Sequence, residues 1–364
     1  MRRAVELARR GRGATAPNPC VGAVLVRDGR IVAEGFHTRF GALHAERECL
    51  ADARAKSIEP GGLTMYVTLE PCNHQGKTPP CTEGLIEAGI GSVVVGARDP
   101  NPVAAGGIKR LRENGIAVTT GVCERECRDL IADFLTWQNS HSPYNILKMA
   151  ATLDGKIASA SGAPEPVSGP ESLARVHALR RMAGAVVVGG NTFYADDPSL
   201  TCRMNGLPPD FVQPLAVVVT SKLPRDPARF GLLRSRPEQA VFMTTEKAAR
   251  SEPADRLRER GTSVWPLPGE PGRLHLSHGF ERLRYDRDCH YTLCEGGGRF
   301  ALSLIEQGLA DELVHFLAPR ILGDNAAPSA YSGRPGTAMA RADNFRISRM
   351  ERTGADVMLT LLRD

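Results

Sequence analysis

His44-Ala45-Glu46 and the two cysteines of LEPCNHQGKTPPC, Cys72 and Cys81, are the residues of this chain best suited to chemistry. One imidazole and two thiolates form a three-ligand set that leaves a fourth tetrahedral position for water, as a catalytic zinc requires. Zinc lowers the pKa of that water to about 7 and so yields hydroxide at neutral pH. Glu46, two residues from the histidine, is the candidate to take the water's proton and deliver it to a leaving amine. Either motif alone is commonplace, an H-x-E on a surface helix or a Pro-Cys as a packed thiol. Their joint occurrence in this order points to a metal. A purely structural zinc would need a fourth protein ligand, and Cys20, Cys49 or His74 are the residues that would supply it.

These residues need elements to hold them. Apolar runs over 21–25 and 30–36, joined by Arg27-Asp28-Gly29, predict a hairpin. A helix is expected from His44 through HAERECLADARAKS, a strand over 63–69, a helix over 82–88 and a buried valine-rich strand over 92–97. IKRLRENGIAV continues with a helix stopped by Gly115 and another strand, and CERECRDLIADFLTWQ reads as one closing helix. Zinc ligands thus fall at helix starts and after a strand.

The polar, proline-bearing NSHSPYN, residues 139–145, reads as a connector. Beyond it ILKMA, AVVVGG, LAVVVT, AVFMTT, HYTLCEGGG and ELVHFLAP predict strands, with helices near SLARVHALRRM and FALSLIEQG. Two α/β domains are expected, 1–142 and 143–364, the second built on buried parallel strands; the proline-rich, charged stretch over 226–287 resists assignment. The length of 364 residues also suits two cores.

Composition narrows the function classes. Hydrophobic residues at 42% and charged residues at 24% describe a globular chain. Residues 1–142 carry 18 basic and 16 acidic side chains and the remainder 28 and 25, so neither part has the basic footprint of a nucleic-acid surface. MRRAVELARRGRG develops no apolar signal core, and no window approaches a membrane span. Nine cysteines, an odd count, fit thiols and metal ligands in a reducing compartment, so a cytoplasmic location is expected.

With NPCVGAV, HAE, TLEPCNHQGKTPPC and RDPNP together, the chain resembles the bifunctional riboflavin-biosynthesis enzymes, a pyrimidine deaminase fused to a pyrimidine reductase. The eight-residue gap between the cysteines separates it from the commoner P-C-x-x-C nucleobase deaminases. The resemblance spans nearly the whole chain. It implies a cytidine-deaminase-like α/β/α domain followed by a dihydrofolate-reductase-like α/β domain, with Zn2+ in the first and NADPH in the second. The implied substrate is a phosphorylated ribosylaminopyrimidine, deaminated first and then reduced from ribosyl to ribityl.

On the deaminase side the resemblance implies substrate contacts from Asn18, His37, His74, Lys77, Thr78, Asp99 and Asn101. Lys77 offers an ammonium to phosphate, and His74 and Thr78 offer hydrogen bonds near the ribose. On the reductase side LKMAATLDGKIA matches a K-x-x-x-S-L-D-G motif with Thr152 for serine, implicating Lys148, Asp154 and Lys156. VVVGGNTFYADDPSLTCR and LCEGGGRF carry further matches. The cofactor set implied is Ala151, Val167, Thr192, Asp196, Gly297 and Gly298. The reductase substrate set is Lys148, Asp154, Glu165, Arg180, Leu200, Arg203 and Glu295. Where relatives carry serine or glutamine followed by tryptophan, this chain reads Glu165-Pro166. A deaminase with an impaired reductase therefore stands as one alternative and a nucleic-acid-editing deaminase as another. The resemblance also implies self-association through the reductase domains, so a homodimer or homotetramer is expected.

Overall fold

The computed structural model describes residues 1–75, 79–103, 105–161, 165–270 and 273–363. The chain divides into two compact units, Met1–Ser140 and His141–Asp364, where sequence reading placed the boundary two residues later.

In the first unit, helix α1 (Arg2–Arg9) precedes the hairpin of strands β1 (Gly22–Arg27) and β2 (Arg30–Phe36). Asp28 and Gly29 both take positive φ, 49° and 74°, as a two-residue hairpin turn demands. Helix α2 (Ala45–Ala55) follows, then β3 (Thr64–Leu69), α3 (Cys81–Glu87), β4 (Ser92–Ala97), α4 (Gly107–Glu113), β5 (Ala117–Thr120), α5 (Glu124–Leu130) and α6 (Ala132–Asn139). The sheet order is β2-β1-β3-β4-β5. The hairpin is antiparallel, β3 runs antiparallel to β1, and β4 and β5 run parallel to β3. Ala23, Leu25, Met65, Val67, Val93 and Val95 form the sheet side of a core closed by Ala45, Cys49, Leu85 and Leu111.

Glycine sets how closely α2 can lie on the sheet. A Cβ on Gly35 would stand 2.2 Å from the backbone nitrogen of Cys49, so only glycine lets α2 seat at this depth on β2. The expected closing helix is two helices, because Ile131 leaves helical geometry at φ −109° and ψ 17° and is buried. Burying Ile131 and Phe134 with Cys127 in one cluster turns the chain at that point.

The second unit begins with β6 (Tyr144–Thr152), so only Ser140–Pro143 of the expected connector lies outside regular elements. Then come α7 (Pro170–Met182), β7 (Ala185–Gly189), α8 (Gly190–Asp196), β8 (Leu215–Val219), α9 (Gly231–Ser235), β9 (Ala240–Thr245), α10 (Glu246–Ala249), α11 (Glu252–Glu259) and β10 (Ser263–Leu267). A two-residue ribbon, β11 (Gly269–Glu270) and β12 (Arg273–Leu274), leads to α12 (Ser277–Asp286), β13 (Tyr291–Glu295), α13 (Gly298–Glu306), β14 (Glu312–Ala318) and the hairpin β15 (Arg346–Thr353) and β16 (Asp356–Leu362).

The nine-stranded sheet has the order β10-β9-β8-β7-β13-β6-β14-β16-β15. Its first seven strands are parallel, as the continuous apolar runs predict, and the last two are antiparallel. All five residues of β7 are buried. The stretch that resisted assignment, in which AVFMTT alone was expected as a strand and forms β9, completes the sheet: Trp265, Leu267, Leu276, Phe280 and Leu283 join its core with Val241 and Met243. The closing hairpin escaped sequence reading because β15 exposes Ile347 and Met350 at the sheet edge and breaks the apolar pattern with arginines.

Candidate active sites

In the first unit His44 is the residue preceding α2, extended at φ −72° and ψ 161°. Its ring therefore projects beyond the helix start while Glu46 occupies the first turn. Cys72 follows β3 through Glu70-Pro71, and Cys81 is the first residue of α3. His44 Nδ1 lies 3.5 Å from Cys72 Sγ and 3.4 Å from Cys81 Sγ, and the three donor atoms fall within 4.8 Å of one another. The Cys81 backbone N–H donates to Cys72 Sγ at 3.4 Å. Hydrogen bonding to Cys81, helped by His44, lowers the pKa of the Cys72 thiol, the thiolate a metal needs. Among the described residues no fourth histidine, cysteine or carboxylate joins this group. Cys20 instead meets Thr15, and Cys49 is buried in the α2 core; burial pushes both thiols up to about 12. Two soft sulfurs and one imidazole with a position left open match a catalytic zinc.

A cavity of about 270 Å³ opens on the cluster. Asn18, His37, Glu46, His74, Asp99 and Asn101 line it, with apolar walls from Val21, Phe40 and Phe134. Glu46 is 3% exposed, and burial, reinforced by the negative charge of Cys72, pushes its carboxyl up to about 7. His37 Nδ1 donates to the Leu43 carbonyl at 2.9 Å and Nε2 accepts from Asn18 Nδ2 at 3.3 Å, a neutral tautomer that burial favours. His74 Nδ1 is buried without a partner among the described residues, and such an atom calls for a ligand hydrogen bond. Lys77 and Thr78 lie outside the described residues.

Sequence reading passed over Glu70. Its carboxylate, 7% exposed, accepts the N–H groups of Gly106 at 3.1 Å, Ile108 at 3.0 Å and Asp99 at 3.4 Å. It thereby fixes the loop that presents Asp99 and Asn101. The only sequence signal was a carboxylate in an otherwise apolar strand end beside Pro71-Cys72.

In the second unit Lys148 and Glu295 are register neighbours on β6 and β13. Arg180 of α7 forks onto Glu295, Nε to Oε1 at 2.6 Å and Nη2 to Oε2 at 2.9 Å, and its Nη1 donates to the Thr201 carbonyl at 2.9 Å. Burial lowers the pKa of Lys148, opposed by Glu295 and assisted by Arg180. The loop after α8 is held beside them: Leu200 is buried at φ 52°, and the Arg203 N–H donates to His177 Nδ1 at 3.1 Å. Arg203 Nη1 reaches Ser199 Oγ at 3.0 Å. Lys148, Arg180, Leu200, Arg203 and Glu295 are thus gathered.

The nucleotide candidates are gathered in part. Gly297 N–H donates to Thr192 Oγ1 at 3.2 Å, tying α8 to the start of α13. A Cβ on Gly298 would stand 2.1 Å from the Ser329 carbonyl oxygen, so close chain packing already requires that glycine. Asp154 accepts from Thr152 Oγ1 at 2.6 Å, Gly323 N at 2.8 Å and Leu322 N at 3.1 Å, which places its carboxylate in a loop clamp. Lys156 Nζ donates to the Ala327 carbonyl at 3.1 Å. Ala151 is buried within β6, Val167 is half-buried, and Asp196 and Glu165 are exposed. Pro164 lies outside the described residues.

The two units together define a zinc-type nucleobase deaminase fold followed by a dihydrofolate-reductase-like fold. Residues 1–97 match the cytidine and deoxycytidylate deaminase zinc-binding region, and residues 143–359 match the RibD C-terminal domain. The chain is 37% identical to the riboflavin biosynthesis protein RibD of Aquifex aeolicus, covering 100% of this chain and 97% of that one. It is 36% identical to that of Escherichia coli over 100% and 98%. A solved structure from Thermotoga maritima, a diaminohydroxyphosphoribosylaminopyrimidine deaminase/5-amino-6-(5-phosphoribosylamino)uracil reductase, superposes with a TM-score of 0.75 at 34% identity, covering 100% and 97%. RibD of Acinetobacter baumannii gives 0.73 at 33%, again over 100% and 97%. The chain belongs to this bifunctional riboflavin-biosynthesis family, a zinc-dependent deaminase joined to an NADPH-dependent reductase. No helix among the described residues is long and apolar enough to cross a membrane.

Proposed function

We propose that the first unit deaminates 2,5-diamino-6-(5-phosphoribosylamino)pyrimidin-4-one and that the second reduces the ribosyl group of the product to ribityl. The observation that carries this reading is the His44, Cys72 and Cys81 donor set facing a cavity that also contains a buried carboxylate and an imidazole nitrogen without a partner among the described residues. His44 Nδ1 and the two sulfurs would hold zinc, which when bound would lower the pKa of a water and make it a hydroxide nucleophile at neutral pH. Glu46 accepts the proton of the attacking water on its carboxylate and returns it to the departing amine, so that ammonia leaves. Burial, which pushes this carboxyl up, favours the protonated state from which the proton is returned. Asn18, His37, Asp99 and Asn101 orient the ring and ribose, Phe40 and Phe134 exclude water, and His74, Lys77 and Thr78 take the sugar phosphate.

In the second unit Ala151, Val167, Thr192, Asp196, Gly297 and Gly298 would hold NADPH, which when bound would supply the hydride that reduces the open-chain imine. Glu295 holds the Arg180 fork while Lys148 and Arg180 meet substrate oxygens, and Arg203 pairs with the phosphate as its guanidinium geometry allows. Leu200 packs against the substrate, and Asp154 and Glu165 border the same pocket. Nine free cysteines suit a reducing, cytoplasmic setting, and self-association would run through the second unit.

One preparation tests the whole reading: metal content, ammonia release from the diaminopyrimidinone, and NADPH oxidation with the deaminated intermediate. Zinc, deamination and NADPH oxidation are expected together. Deamination without NADPH oxidation would replace the bifunctional reading with an impaired reductase, for which Glu165-Pro166 is the local departure.

A further inference from the structure

The helix that follows His44 and the helix that opens with Cys81 meet one turn below those residues. Arg47 stands three residues after His44 on α2, and Gly84 stands three residues after Cys81 on α3. Gly84 therefore faces the same side of α3 as Cys81, and Arg47 lies in the first turn of α2, directly after His44. Arg47 Nη2 donates to the Pro80 carbonyl at 3.0 Å, the residue just before Cys81. The guanidinium lies flat against Gly84: a Cβ there would come within 2.4 Å of Arg47 Cζ, 2.6 Å of Nε and 2.7 Å of Nη1. No other side chain among the described residues comes as near that point, since these are its three nearest atoms.

We infer that Arg47 and Gly84 form a clamp that holds the Cys81 helix against the His44 helix and so sets the spacing of the zinc ligands. The inference rests on the zinc reading above. Arg47 is a positioning residue: its donor reaches the backbone that leads into Cys81, and its planar group occupies the gap that the missing side chain of Gly84 leaves open. A ligand set whose His44 and Cys81 sit at the starts of two separate helices keeps its geometry only as well as those helices keep their distance. Residues that orient metal ligands without touching the metal characteristically change metal affinity by about 10- to 100-fold.

The experiment is zinc release from the full-length, zinc-loaded chain to a chromogenic chelator, followed by stopped mixing. Arg47→Met, which keeps the aliphatic stem but loses the fork, and Gly84→Ala, which keeps Arg47 but displaces it, are each expected to release zinc about tenfold faster than the parent chain. The double variant Arg47→Met/Gly84→Ala is expected to be no faster than Arg47→Met alone, because the new methyl enters space the guanidinium has left. A parent-like near-ultraviolet circular dichroism spectrum and thermal melt of the zinc-loaded chain in all three variants show that the first unit is folded, and unchanged NADPH oxidation shows the same of the second. Wild-type release rates in both single variants, or fully additive effects in the double variant, would overturn the clamp. Zinc content of the parent chain is read separately, so a parent without zinc would sink the zinc reading itself, whereas a zinc-bound parent with indifferent variants would sink only the clamp.

Discussion

The two sites of this chain are built on opposite plans. The first is a point: three donor atoms within 4.8 Å, a buried carboxylate, and a cavity whose polar walls are already aimed. The second is a surface: strand ends, a glycine turn and a loop, in which much of the charge is neutralised internally. Arg180 is forked onto Glu295, Asp154 accepts three hydrogen bonds, and Gly297 is tied to Thr192. The difference follows from who performs the chemistry. In the deaminase the protein's own side chains must fix a metal and move a proton, which demands short distances and perturbed ionisation. In the reductase the cofactor carries the hydride, and the protein needs only to present and orient.

The contrast can be broken most sharply at Glu46. Glu46→Gln keeps the shape and removes the proton acceptor, so ammonia release should fall at least about a hundredfold while NADPH oxidation with the deaminated intermediate holds. Equal loss of both activities would deny that the sites are chemically separate. Next in size, Arg180→Ala strands Glu295 in a pocket where the pair's side chains are only 11% and 13% exposed. Unpairing a buried charge is costly, so KM of the reductase should rise by at least about tenfold, with the deaminase unmoved in the same assay. If KM stays constant, the fork is architectural only.

A smaller effect is expected at Glu70. Glu70→Gln weakens the acceptor for the Gly106 and Ile108 N–H groups, and deaminase KM should rise several-fold with zinc content intact, on the scale of one weakened buried hydrogen bond. Zinc loss on this substitution would assign Glu70 to the metal rather than to the loop.

The smallest effect is on pH. The hydroxyl of Thr152, followed by the Gly323 amide, holds the Asp154 carboxyl down at about 2. A carboxyl depressed on folding contributes stability above its unfolded value, near 3.9, and loses that contribution as pH falls through 2. Thermal melting of the second unit should therefore decline between about pH 4 and 2, and Asp154→Asn should flatten that decline. An unchanged slope in the variant would place the acid sensitivity elsewhere.

What could be read in advance divides along the same line. The hairpin turn at Asp28-Gly29, the zinc triad and the buried valine strands were legible because each is a local rule: positive φ at a turn, ligand types at fixed spacing, continuous apolar runs. The break at Ile131, the helices and the strands β10, β11 and β12 within 226–287, and the edge hairpin were not, because packing of residues far apart in the chain decides them. Glu70 was invisible for the same reason, its three donors lying 29 to 38 residues away.

By itself, then, the sequence determined the ligand types, the order of elements and the class of chemistry, since these depend on residue identity and short-range periodicity. Only the tertiary structure decided that, among the described residues, Cys20, Cys49 and His74 stay outside the His44, Cys72 and Cys81 group, which carboxylate is buried enough to rise to about 7, and which carboxylate Arg180 pairs with. Those properties are set by desolvation and by distances between segments that a linear chain does not fix until its cores have closed.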